Sequence, residues 1–210
     1  GQIFQAFVAD NNGFFEKGWQ GTEMYSQWWM DATRPYYNND MKIRCCPLYA
    51  NPDGANVWNM CWAFPTPSRP CPDYGSYGIN GWVENVSLTI YGGSTNNWRT
   101  PNVRGAADVP LLFDEPWIDT WPRETNPPPE FEDEPWLGGD EMMMSRLCRN
   151  WHKNGCTNML FLDFSARKVG LKELWTLKWH RKFDTCGPWT KCGGVQPTDW
   201  PLWMRDFKEY

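Results

Sequence analysis

HKNGCTNMLFLDFSARKVGLKELWTLKWHR, residues 152–181, holds the most legible structural pattern in the chain. CTNMLFLD, at 156–163, is an apolar run of strand length, and SARKVG continues as a turn and a second strand. In LKELWTLKWHRKF, Leu171, Leu174, Trp175, Trp179 and Phe183 fall on one face of a helix. The spacing therefore predicts strand, turn, strand and helix over 156–183, with the apolar helix face laid against a sheet. His152 and Asp163 bracket the first strand.

Outward from this block the chain is rich in turns. Its 210 residues fit one domain, 1–210, long enough to bury roughly 70% of the surface exposed on unfolding. The 16 Trp, 11 Phe and 8 Tyr supply a rigid core, while 18 Gly and 18 Pro predict long surface loops. Ile3, Phe4, Phe7 and Val8 recur at helical spacing before Asn11, Asn12 and Gly13, so residues 1–12 read as the last turns of a helix. Tyr25, Trp28, Trp29 and Ala32 predict a second helix at 22–33, ending before Pro35. Residues 42–71 are broken by prolines. DYGSYGINGWVENVSLTIYGG alternates as strands interrupted by glycine turns, and VPLLFDEPW contains a buried strand. Between 114 and 141, ten acids face one base, Arg123, around Pro127–Pro129, which predicts an exposed acidic loop. The tail from 187 is too aromatic for disorder and is expected to wrap the domain.

The net charge of −5 opposes nonspecific attraction to nucleic acid or anionic membranes. No stretch approaches the roughly 20 apolar residues that span a bilayer, and the abrupt apolar opening is expected to follow an upstream segment. Eight cysteines, Cys45, Cys46, Cys61, Cys71, Cys148, Cys156, Cys186 and Cys192, show no CxxC or Cys/His zinc spacing. They read as disulfides of an exported protein. Nearness suggests Cys186 with Cys192 and Cys61 with Cys71, while adjacent Cys45 and Cys46 need separate partners. Buried reduced thiols are the alternative.

Taken together, GQIFQAFVADNNGFF, DYGSYGINGW, NNWRTPNV and LFLDFSARKVGLKELWTLKWHR resemble blocks of the prepilin-like, or pseudopilin-like, proteins of planctomycete-type bacteria. Their C-terminal signature is a His followed after nine residues by Asp-Gly. Here ten residues separate His152 from Asp163, and Phe164 stands where the family has glycine. The resemblance implies an α+β pilin-like head: the end of a stalk helix on an antiparallel sheet, with long loops and the C-terminal Trp-rich helix. It also implies export to the cell surface, a structural role in a filament, pilus or secretion-type pseudopilus, and no catalytic residues. Membrane contact would come only through an N-terminal segment outside these 210 residues.

Each candidate site has a structural counterpart. A catalytic or zinc role for His152 and Asp163 needs further groups that the sequence does not locate. Asp163 is therefore expected to cap turn amides and His152 to bond to backbone, with Trp175 and Trp179 as core marks of the same block. No cofactor is expected; were calcium bound, Asp133, Glu134, Asp140 and Glu141 would be the first candidates. Asn85-Val86-Ser87 has the form of a glycosylation sequon. Against the acidic loop, residues 164–182 carry six bases and one acid, so Lys178 and Arg181 are expected to guide head-to-tail assembly of identical copies. The reading is a non-enzymatic filament subunit. The alternative is a secreted carbohydrate-binding protein whose aromatic faces stack on surface glycans.

Overall fold

A computed structural model describes residues 1–18, 27–48, 62–64, 73–86, 95–135 and 138–210. The fold is mixed α+β around one five-stranded sheet in the order β5-β3-β4-β6-β7. Its strands are β3 (Tyr77–Asn80), β4 (Pro110–Asp114), β5 (Asp119–Thr120), β6 (Cys156–Phe161) and β7 (Ala166–Gly170). Neighbours pair antiparallel except β3 with β5. A two-stranded ladder of β1 (Trp62–Phe64) and β2 (Asp73–Gly75) adjoins them.

The period of two places alternate residues on opposite faces. Leu112 of β4 sits opposite Leu160 of β6, and Phe113 opposite Met159. The Phe113 ring meets Trp179 edge-on at 5.3 Å, so its face is covered by the C-terminal aromatic residues. Leu160 reaches the other side, where a Cβ on Gly1 would lie 3.6 Å from its Cδ1. With both faces covered, β4 is apolar almost throughout, as its sequence PLLFD requires.

Helix α1 (Gln2–Asp10) buries Phe4, Phe7 and Val8. Phe4 meets Phe15 and Trp29 at 6.4 and 6.1 Å, and Phe7 meets Tyr36 edge-on at 5.9 Å. Asn11 ends the helix by donating its side-chain amide to the Phe7 carbonyl at 2.7 Å. The second predicted helix is far shorter than expected. Helix α2 spans only Trp29–Ala32, because Gln27 forms an antiparallel bridge to Gly18 and Trp28 is extended; positions 22–26 lie outside the described residues.

The predicted helix over 171–183 is likewise corrected. Leu171, Leu174, Trp175, Trp179 and Phe183 are all buried, but only Lys172–Thr176 turn, as a 3-10 helix. Beyond it the backbone finds other partners: Lys178 donates to the Asp108 carbonyl at 3.0 Å and Arg181 to that of Asn96 at 3.1 Å. The Trp179 carbonyl accepts from Asn80 and Trp98 side chains at 3.0 and 2.9 Å. Tertiary hydrogen bonds thus replace the helical ladder.

The C-terminal segment closes over the sheet edge. Trp200 and Met204 are buried, Phe207 lies over Gly155 and Tyr210 over Gly170. A Cβ at Gly155 would come within 2.5 Å of the Phe207 ring, so only glycine admits it there. The buried Lys172 ammonium completes the clamp, pairing with Glu209 and standing 5.0 Å over the Trp200 ring.

The acidic run 114–141 is not one exposed loop. Asp114 ends β4, Asp119 opens β5, and these two with Glu115 are buried; the exposed acids are Glu130, Glu132, Asp133, Asp140 and Glu141. Apolar neighbours Phe113, Pro116, Trp117 and Ile118 draw the first three inward. Of the cysteines, Cys186 and Cys192 form a disulfide, whereas Cys148 and Cys156 are buried free thiols. Cys45 and Cys46 are buried too, and Cys61 and Cys71 lie outside the described residues.

Candidate functional site

Three segments remote in sequence converge on His152. Asp40 caps the 3-10 helix Met41–Arg44 by accepting from the Lys42 amide at 3.1 Å, and the chain leaves it at Cys45 and Cys46. There the Cys46 amide donates to Ser76 Oγ at 2.6 Å, and the Ser76 amide to the Arg44 carbonyl at 2.9 Å. This docks the cysteine beside the end of β4, where Asp114 lies. His152 comes from the turn before β6. Lys153, Asn154 and Gly155 follow it with φ of 57°, 56° and 65°, and Asn150 Oδ1 accepts from the Gly155 amide at 2.9 Å.

His152 Nε2 lies 2.9 Å from Asp114 Oδ2 and 3.7 Å from Cys46 Sγ. Asp114 Oδ2 also accepts from Thr157 Oγ1 at 3.1 Å and the Asn158 amide at 3.3 Å. The Asn158 side-chain nitrogen stands 3.0 and 3.3 Å from the two ring nitrogens. A Cys-His-Asp relay needs sulfur and carboxylate on different ring nitrogens. Here both face Nε2, so the ring cannot pass a proton from thiol to carboxylate. The geometry is one of converging ligand atoms, all within 4.8 Å of one another.

This corrects the expectation for His152, which engages side chains and not backbone. Asp163 stays apart, with Oδ1 accepting from the Ser165 amide at 2.9 Å and the Ser165 hydroxyl at 2.6 Å in the turn between β6 and β7. The next residue, Phe164, has φ of 65°, the left-handed conformation that glycine adopts without cost. Neither Cys46 nor Asp114 was singled out as a partner of His152. The apolar frame around Asp114 was the available signal that it is not a solvated acid.

A second group of titratable residues is wholly internal. Burial drives the Glu115 carboxyl well up, against the pull of Arg146 and Arg149, and burial likewise raises Asp119 despite Arg146. Arg146 donates to the Asp119 carbonyl at 2.6 Å, fastening α3 (Met143–Leu147) to β5. Burial also pushes the Glu16 carboxyl up to about 7. A carboxyl raised on folding contributes stability that is full below the unfolded pKa and lost as pH rises through the folded one. Glu16→Gln should therefore stabilise the protein at pH 8, by on the order of 3 kcal/mol, and change little near pH 4. Urea denaturation at the two pH values checks this; equal effects at both would refute it.

A surface depression of about 370 Å³ is lined by Trp82, Asn96, Arg123, Glu124, His180 and Lys182, together with Thr125. The His180 ring packs against Trp82 at 4.8 Å, tilted by 57°. Burial, then Lys178, Arg123 and Lys182, push its pKa down to about 4, so the ring is neutral at pH 7 beside Glu124 at 3.5 Å. Lys178 and Arg181, expected to guide assembly, lie nearby. Lys178 Nζ donates to the Phe183 carbonyl, and Arg181 donates to the carbonyls of Asn97 and Trp98 at 2.8 and 3.2 Å. They hold their own loop together, Arg181 from an exposed position and Lys178 from a half-buried one.

The four calcium candidates do not gather. Asp133 approaches Arg149 at 4.0 Å, Glu134 accepts from the Glu130 amide at 2.8 Å, and Asp140 pairs with Arg123 at 3.6 Å. Glu141 is exposed. Among the described residues, the group of Cys, His, Asp and Glu close enough to share an ion is Cys46, Asp114 and His152. Asn85 is half-buried and its amide donates to the Glu16 carbonyl at 2.7 Å, while Ser87 of its sequon lies outside the described residues. Trp175 and Trp179 are fully buried. No family model matches the sequence, and no curated protein or solved structure is measurably similar to it.

Proposed function

We propose that this protein is a structural subunit of an extracellular filament or pseudopilus. The observation that carries the reading is the meeting of α1 with the β6–β7 hairpin, the two segments whose sequences resemble the stalk-helix and signature blocks of prepilin-like proteins. A Cβ on Gly1 would lie 2.8 Å from the Phe164 carbonyl oxygen in that hairpin's turn. The same chain offers contact chemistry suited to assembly. Phe131, 53% exposed, stands among the exposed acids Glu130, Glu132 and Asp133. On the edge strand β7, Arg167 and Lys168 are exposed. An apolar anchor ringed by one charge, meeting a patch of the other, gives burial for affinity and charge for register. Exposed ion pairs alone contribute only roughly 0–1 kcal/mol each.

The distribution of tryptophan also favours assembly over glycan binding. No described tryptophan is exposed; Trp28, Trp117, Trp189 and Trp203 are half-buried and the others buried, which leaves no open indole platform among them.

Electron microscopy of the protein from its native source should show a regular helical lattice, whereas dispersed particles would count against assembly. Phe131→Ser and Lys168→Glu should each impair polymer growth while changing monomer stability by less than about 0.5 kcal/mol. Arg181→Glu should instead destabilise the monomer. Sugar-dependent tryptophan fluorescence from a small, non-polymerising protein would transfer the assignment to carbohydrate binding.

A further inference from the structure

We propose that Cys46, Asp114 and His152 form a binding site for one zinc-class divalent metal ion, independently of whether the chain assembles into filaments. Two observations carry this. The first is the donor set: a thiol sulfur, an imidazole nitrogen and a carboxylate oxygen within 4.8 Å of one another. The second is that Asp114 is fully buried, yet among the described residues its Oδ1 has no hydrogen-bond partner, while Oδ2 takes donors from His152, Thr157 and Asn158. A buried carboxylate oxygen left without a donor is costly unless something else satisfies it.

The distances suit tetrahedral zinc. Bonds of about 2.3 Å to sulfur and about 2.0–2.2 Å to nitrogen and oxygen hold the ligand atoms roughly 3.4–3.6 Å apart. Cys46 Sγ and His152 Nε2 already stand at 3.7 Å. The 2.9 Å contact between His152 and Asp114 is a hydrogen bond that metal replaces, opening by a few tenths of an ångström. Sulfur and imidazole select a zinc-class ion over calcium or magnesium, which take oxygen sets. With three protein ligands, the fourth position is left to water.

Surrounding contacts already orient the ligands. Thr157 and the Asn158 amide fix the Asp114 carboxylate, Ser76 Oγ fixes the Cys46 backbone, and the Asn158 side chain abuts the imidazole. Such outer contacts typically carry 10–100-fold in metal affinity. Binding must displace the thiol proton of Cys46 and free Nε2 of its proton, so affinity falls as pH is lowered. The ion joins segments separated by as many as 106 residues, and because it binds only the folded chain it raises thermal stability with its concentration.

The test uses the full chain, stripped of metal and mildly reduced, with cobalt(II) as the probe. One equivalent should produce a thiolate-to-cobalt charge-transfer absorption that zinc abolishes by displacement, and zinc should raise the thermal midpoint. Cys46→Ala should lose the absorption, Cys148→Ala and Cys156→Ala should keep it, and Asn158→Ala should weaken binding about 10–100-fold. Circular dichroism of each variant separates lost ligation from lost fold. Absence of the absorption in the unsubstituted protein, or its persistence in folded Cys46→Ala, would overturn the site. So would finding Cys46 in a disulfide when the isolated protein is alkylated in denaturant without reductant.

Discussion

Trp175→Ala is expected to cost about 3–5 kcal/mol of folding stability, the range for deleting a large buried aromatic side chain. The ring is wholly inaccessible and meets Trp200 edge-on at 5.4 Å and Trp189 at 6.4 Å. Its indole nitrogen donates to the Asn126 carbonyl at 2.8 Å, so truncation also strands a buried acceptor. The substitution removes the piece that joins the 3-10 turn after β7, the C-terminal segment and the Pro-rich loop. Urea denaturation should show a lower midpoint with the slope preserved. A loss below about 1 kcal/mol would mean that the indole does not pack as described.

A loss of similar size, about 3–5 kcal/mol, is expected for Asp73→Asn. Asp73 and Arg44 are fully buried, with 2.7 Å between Oδ1 and the guanidinium, and Arg34 reaches the same carboxylate at 3.3 Å. The Arg44 guanidinium also stands 5.9 and 5.8 Å from the Tyr37 and Trp62 ring centres. Removing the anion strands a buried cation in that aromatic setting. Burial pushes the Asp73 carboxyl up, but hydrogen bonds from Arg34 and Arg44 outweigh it and hold the group below its ordinary value. A depressed carboxylate contributes stability that is full above the unfolded pKa, about 3.9, and lost as pH falls through the folded one. The unsubstituted protein should thus lose its advantage over Asp73→Asn in acid. A pH-independent gap, measured by denaturation from pH 7 to pH 2, would contradict the pairing.

What was legible in the sequence is what local periodicity encodes. The apolar runs in CTNMLF and PLLFD and the helical spacing of Phe4, Phe7 and Val8 correspond to β6, β4 and α1. Burial was also legible where backbone state was not. Leu171, Leu174, Trp175, Trp179 and Phe183 point inward, but the carbonyls of Asn96 and Asp108 and the side chains of Asn80 and Trp98 compete for the backbone that a helix would need. The site was half legible. His152 stood out, but its partners depend on pairings across 38 and 106 residues that no local pattern encodes. Averaging charge over 114–141 hid Asp114 among acids that face water.

The clamp of Phe207 on Gly155, Glu209 on Lys172 and Tyr210 on Gly170 has a consequence in time. During synthesis the β6–β7 hairpin emerges well before the segment that covers it, so until residues 200–210 follow, its edge and the Lys172 ammonium remain open to water. Closure of this half of the domain is consequently a late event whose contacts span tens of residues, and such non-local contacts slow folding.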